Sequence, residues 1–110
     1  MAAMIAQEVR IGPVGLEGAL VLPEPGRGLV LFAHGSGSGR LSPRNRFVAG
    51  ELQGAGFGTL LFDLLTAAEA QDRRNVFDIG LLAQRLVLAT AWLDGLGTTR
   101  GLPLGYFGAS

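Results

Sequence analysis

This sequence predicts an α/β fold in which a β-hairpin leads into parallel strands that alternate with helices. Residues 28–33 (GLVLFA), 57–62 (FGTLLF) and 104–107 (LGYF) are continuous apolar runs, the pattern of strands buried on both faces. The stretches between these runs are long enough for crossover helices and carry helix start signals. Ahead of them, two β-like runs flank the turn Gly12-Pro13-Val14-Gly15, the arrangement of an antiparallel hairpin.

The hairpin strands are residues 4–11 and 16–22. The second ends at PEPGRG, where two prolines remove backbone donors that a sheet interior would need. The first buried strand, 28–33, stops at His34 and opens into the glycine and serine loop HGSGSGR. Ser42 then serves as N-cap with Pro43 at the first helical position. That helix is expected to turn Phe47, Val48 and Leu52 inward and to end at Gly54 or Gly56, where a left-handed glycine is cheap. After strand 57–62 and Asp63, the string TAAE reads as a capping box, Thr66 with Glu69, and NVFD repeats the pattern with Asn75 and Asp78. A long helix over 76–96 follows. Leu82, Leu86, Ala89, Leu93 and Leu96 recur at steps of four and three, with Leu81, Leu88 and Trp92 widening the stripe, and Gly97 closes it. Right-handed crossovers then place helices on both faces of the sheet, in three layers. The whole of 1–110 reads as a single domain.

Bulk composition narrows the function classes. Nine basic and nine acidic residues give a net charge of zero, without a basic stripe, so nucleic acid is not an expected partner. No cysteine is present, which excludes a disulfide framework and a thiolate nucleophile or ligand within these residues. The single histidine has no carboxylates at ligating spacing, so no metal is expected, and no other cofactor. No basic-then-apolar leader and no run of membrane-spanning length occurs, so the expectation is a cytoplasmic protein without a membrane partner. At 48% hydrophobic residues and a mean hydropathy of +0.37, the chain is apolar for its size. Small domains have much surface per unit volume, so some apolar surface is expected to be covered by something else, or to drive self-association.

In open α/β sheets, chemistry collects at the carboxyl ends of the strands. Here those ends carry His34 with the glycine loop, Asp63, and Gly108-Ala109-Ser110. A serine on a sharp strand-to-helix turn needs small neighbours two residues away on either side, and Gly108 supplies the first. The loop HGSGSG lacks the Gly-Lys-Ser/Thr ending of a phosphate-binding loop, and its glycines at 35, 37 and 39 miss the dinucleotide spacing. Its other use is to present main-chain N–H groups to a developing oxyanion. His34 is expected to hydrogen-bond within its own loop and Asp63 to cap a loop or pair with an arginine. Ser36 and Ser38 hydroxyls stabilise the loop, Trp92 and Phe47 belong to the core, and Arg73-Arg74 form a solvated turn.

The segments LVLFAHGSGSGRLSPRN, GFGTLLFDLLTAAE and LGYFGAS together resemble the α/β hydrolase superfamily, and within it the dienelactone hydrolase-like group of bacterial proteins. The likeness covers essentially the whole chain and implies the amino-terminal half of an α/β hydrolase-type sheet. It places the nucleophile at Ser110 and an oxyanion-hole amide at Ser36 or Gly37. Dienelactone hydrolases proper use cysteine where this chain has serine, which bears on a lactone substrate and not on the hydrolase class. The triad order of the fold is serine, acid, histidine, so the acid and the histidine are expected beyond Ser110, in a longer parent. The implied activity is serine hydrolysis of a small-molecule ester, thioester or lactone, and the 110-residue chain alone is expected to be inactive for want of a general base. Two other readings stay open: a non-catalytic α/β binding or interaction module, and a phosphate-binding loop protein.

Overall fold

The computed structural model describes residues 3–34 and 39–109. Strands β1 (Ala3–Ile11) and β2 (Leu16–Glu24) form the expected antiparallel hairpin, with Ile11 opposite Leu16. Next come β3 (Leu29–His34), α1 (Pro43–Gly54) and β4 (Gly58–Phe62). The short helices α2 (Ala67–Ala70) and α3 (Arg73–Val76) precede the long α4 (Ile79–Asp94), and β5 (Leu104–Ala109) closes the order. The last apolar run is thus a strand, but it is not buried on both faces as expected: Tyr106 is 54% exposed and none of residues 104–108 is fully buried, because β5 lies at the end of the described sheet.

All of the strands join one five-stranded sheet in the order β1-β2-β4-β3-β5. Strands β4 and β5 both run parallel to β3, whereas β2 runs antiparallel to β4, so the sheet is mixed. The central strand β4 is buried at every position. From β3 the chain crosses through α1 to β4 on one side, then returns through α4 to β5 on the other. Right-handed crossovers in opposite directions require helices on opposite faces, and the core divides accordingly. On one face Leu29, Leu31, Leu60 and Phe62 pack with Leu16, Leu20 and Leu22 of the hairpin and with Ala89 and Leu93 of α4. On the other, Phe32 and Leu61 pack with Ala49, Val48 and Leu52 of α1, and Phe107 of β5 tilts against Phe32 at 5.2 Å between ring centres. Thr59, fully buried between these layers, is bonded by Gln53 Nε2 of α1 at 2.9 Å.

Several expectations for the helices are met and several are corrected. Ser42 caps α1, accepting from Asn45 N, and Gly56 takes a left-handed φ of +95° just past its end. Phe47, expected in the core, is 69% exposed. The inward stripe of α1 is Asn45, Val48, Ala49 and Leu52, stepping by three and four, and Phe47 falls outside that arc. The capping box of Thr66 and Glu69 forms as read. Downstream, Asp72 caps α3 and Asp78 caps α4, so α4 begins at Ile79, not at 76. Asn75 does not cap; its Nδ2 donates to Glu69 O at 2.9 Å. The C-cap of α4 is Gly95, two residues earlier than expected, and the Thr99 hydroxyl bonds the Leu93 carbonyl beyond it.

A bidentate ion pair fastens the capping box to α4. Arg85 Nη1 and Nη2 each donate to one oxygen of Glu69 at 2.7 Å, and Nη1 also reaches Leu64 O at 3.3 Å. The Arg85 hydrogen bonds, helped by the Thr66 amide, pull the Glu69 carboxyl from its ordinary 4.5 down to about 2. A carboxyl lowered on folding stabilises the native state fully above its unfolded value and loses that contribution as pH falls toward the folded value. Glu69→Gln is therefore expected to cost about 1–3 kcal/mol at pH 7, after allowing for partial solvent screening. The difference from the unsubstituted protein should shrink as pH falls from 4.5 to about 2. Urea melts of both proteins at pH 7 and pH 2.5 check this; an unchanged difference at the two pH values would contradict it.

Candidate functional site

The topology singles out one end of the sheet. Around β3 the connections run in opposite directions, to β4 on one side and β5 on the other. Such a reversal opens a crevice at the carboxyl ends of the flanking strands, where ligands of open α/β sheets bind. His34 closes β3, Asp63 and Leu64 follow β4, and Ala109 ends β5 directly opposite His34 in the parallel register. Strands β3 and β5 therefore finish level with each other.

The sequence-predicted nucleophile, Ser110, lies outside the described residues, as do both predicted oxyanion residues, Ser36 and Gly37, and Ser38. What the structure does place is the frame around them. Leu64 N donates to His34 Nε2 at 2.9 Å, which leaves the imidazole as the Nδ1–H tautomer. This bond carries His34 beyond its own loop, to the chain leaving β4. Asp63 pairs with an arginine, one of its two expected roles: Arg40 Nη1 donates to Oδ2 at 2.9 Å and the Arg40 amide to Oδ1 at 2.7 Å. Arg40 Nη2 also lies 3.6 Å from Glu17 Oε2, and Asp63 N donates to Glu17 O at 2.9 Å, so the rim is tied back to the hairpin.

Two glycines at this rim behave differently. A Cβ at Gly39 would stand 2.8 Å from Asp63 Oδ1, so a side chain at 39 would require the carboxylate to shift from its present place on the Arg40 amide. A Cβ at Gly108 would come no closer than 4.0 Å to Ala33 O. The described residues thus do not themselves require a small residue at 108, as the serine-turn reading expects.

Sequence reasoning expected an arginine partner for Asp63 without identifying Arg40, and it missed the Arg85–Glu69 pair altogether; the partners are 23 and 16 residues apart. Nothing local in the sequence marks them, because they depend on which strands become neighbours. Among the described residues, no group of three or more His, Asp or Glu could hold a metal ion, and no helix is long and apolar enough to cross a membrane.

No protein-family model matches the chain. Two proteins of Mycobacterium tuberculosis, from strains CDC 1551 and H37Rv and each provisionally named a phosphoribosyl transferase, are 59% identical to it over 106 residues. The match takes in 94% of this chain and 24% of theirs, so the chain spans about a quarter of the length of these curated relatives. The crystal structure of a dienelactone hydrolase from Anabaena variabilis is similar at a TM-score of 0.89 and 55% identity, over 99% of this chain and 52% of that one. A cold-adapted esterase from an Arctic intertidal metagenomic library superposes at a TM-score of 0.67 and 19% identity, covering 97% of this chain and 50% of its own. A dienelactone hydrolase-like promiscuous phosphotriesterase from metagenomic libraries gives 0.64 and 21%, over 96% and 49%. The last two likenesses show the fold alone. Over the span it covers, the chain has the fold of the dienelactone hydrolase-like α/β hydrolases, in the amino-terminal portion of their sheet.

Proposed function

We propose that the chain is the amino-terminal portion of a serine hydrolase acting on a small-molecule ester, thioester or lactone, with Ser110 as nucleophile and main-chain amides of Ser36 or Gly37 as oxyanion donors. The observation that supports this best is the level ending of β3 and β5 at the sheet's reversal point, with His34 opposite Ala109. It brings the chain before the glycine loop beside the chain before the serine. The reaction is acyl transfer. The Ser110 hydroxyl adds to the substrate carbonyl, the amides stabilise the tetrahedral oxyanion, the alcohol leaves, and water releases the acid from the acyl-serine. The histidine base and its acid come from the longer parent, in the chain order of the fold.

Asp63 is not suited to be the base, since both of its oxygens are engaged by Arg40. The name of the M. tuberculosis relatives does not weigh against the reading, because three quarters of their length lies outside the matched segment. The test is hydrolysis of p-nitrophenyl acetate and butyrate by the full-length parent, with Ser110→Ala as its control.

A second reading, an interaction module, is favoured by β5, which pairs only with β3 among the described residues. Beside it an apolar groove of about 430 Å³ is lined by Leu86, Val87, Ala91 and Tyr106. Such an edge and groove suit strand addition by a partner or a second copy. A folded parent that hydrolyses none of the esters would favour this reading.

A further inference from the structure

We propose that the outer face of α1 is a self-association surface, on which a second copy of this chain docks its own α1 antiparallel; this does not depend on the hydrolase reading. Pro43, Phe47, Gly50 and Gly54 recur at steps of four, three and four, so they line one stripe of the helix, and all of them are exposed. The ring of Phe47 stands out from that stripe at 69% exposure, since the inward arc is already filled by Val48, Ala49 and Leu52. Gly50 leaves a notch beside it. A Cβ at Gly50 or Gly54 would meet nothing within 4 Å, so packing inside the described chain does not call for glycine at either position. Glycine inside a helix also weakens it relative to alanine. A two-fold axis midway between residues 47 and 50 would set each Phe47 ring level with the partner's Gly50, and Pro43 level with the partner's Gly54.

Charge selects both the orientation and the occupant. The first turn of α1 carries Arg44 and Arg46 and no acid, and its last turn carries Glu51 and no base. That is the reverse of what the helix macrodipole favours. The ion pairs among the described residues involve neither Arg44 nor Glu51. These two side chains lie two turns apart on the same flank of the stripe. Antiparallel pairing brings Arg44 beside the partner's Glu51, and Glu51 beside the partner's Arg44, so opposite charges meet twice. It also opposes the two helix dipoles. A second copy therefore supplies the ring, the notch and the complementary charge together. The helix has 12 residues, which places the contact at the small end of specific interfaces and its affinity in the micromolar range.

Sedimentation velocity of the full-length parent in low salt is the test, and it is expected to show a monomer–dimer equilibrium with Kd on the order of 10 μM. Phe47→Ala removes the ring and Gly50→Gln fills the notch with a good helix former; each is expected to weaken association ~10-fold or more. Arg44→Glu sets like charges together at two places and should also weaken it ~10-fold. Adding Glu51→Arg restores opposite charges at both, so the double variant is expected to return to within about threefold of the unsubstituted protein. Loss of folding would not be repaired in that way, and melting curves of all the variants check that they are folded. A parent that stays monomeric throughout would overturn the proposal. So would association that ignores these substitutions, which points to another surface such as the β5 edge, or a double variant that associates no better than Arg44→Glu alone.

Discussion

Ser110→Ala in the full-length parent is expected to reduce ester hydrolysis by ~10³-fold or more while leaving the melting temperature unchanged. The methyl group cannot add to a carbonyl, so acyl transfer through this position ends. What survives is the acceleration that binding and oxyanion contacts give to attack by water. Stability should hold because the substitution removes a single hydroxyl and leaves in place the described contacts of β5, its register with β3 and the packing of Leu104 and Phe107 on the core. Steady-state kinetics of both proteins, with the melt as control, provide the check. Parental kcat in Ser110→Ala would move the nucleophile elsewhere.

The largest structural effect is expected from Phe62→Ala, which should destabilise the fold by about 3–5 kcal/mol. Phe62 is 1% exposed on the central strand and belongs to the face built by the hairpin, β3 and α4. Gly18 lies opposite it in the register, and a Cβ there would already be 2.9 Å from Phe62 Cβ. The hairpin backbone is drawn close against the ring's base and cannot slide to fill a vacated ring, so most of the cavity would persist. Domains of this size have only about 5–15 kcal/mol in total. Phe62 also immediately precedes Asp63, so the same cavity should loosen the rim that holds Arg40. Phe62→Leu, which keeps most of the volume, should cost about 1–2 kcal/mol. Chemical denaturation of the three proteins measures this, and equal midpoints for Phe62→Ala and the parent would contradict the packing described.

Much of this fold is legible locally. The buried strands β3 and β4 announce themselves as unbroken apolar runs, whereas the same pattern at β5 marks a strand but not its burial, and Ser42-Pro43 and Thr66 with Glu69 mark helix starts by side-chain chemistry that needs no tertiary partner. The errors also have local causes. Phe47 is apolar yet lies off the 45/48/49/52 stripe, and a helix's inward arc is fixed only once it meets its sheet. Asp78 caps α4 where Asn75 offered an earlier start, so the long helix begins three residues later than expected, and Asp72 caps the short α3 before it, which the sequence reading did not anticipate. The insertion of β4 between β2 and β3, by contrast, has no local signature. Everything that follows from it, including the grip of Asp63 on Arg40 and of His34 on Leu64, becomes visible only when the strands are side by side.

The nucleophile is the point on which the functional account turns, and covalent capture tests it most directly. Full-length parent treated with a fluorophosphonate, digested and mapped by mass spectrometry is predicted to carry a single adduct, on the peptide containing Ser110. An adduct on Ser36, Ser38 or Ser42 in its place, or none on protein shown to be folded, would contradict the account.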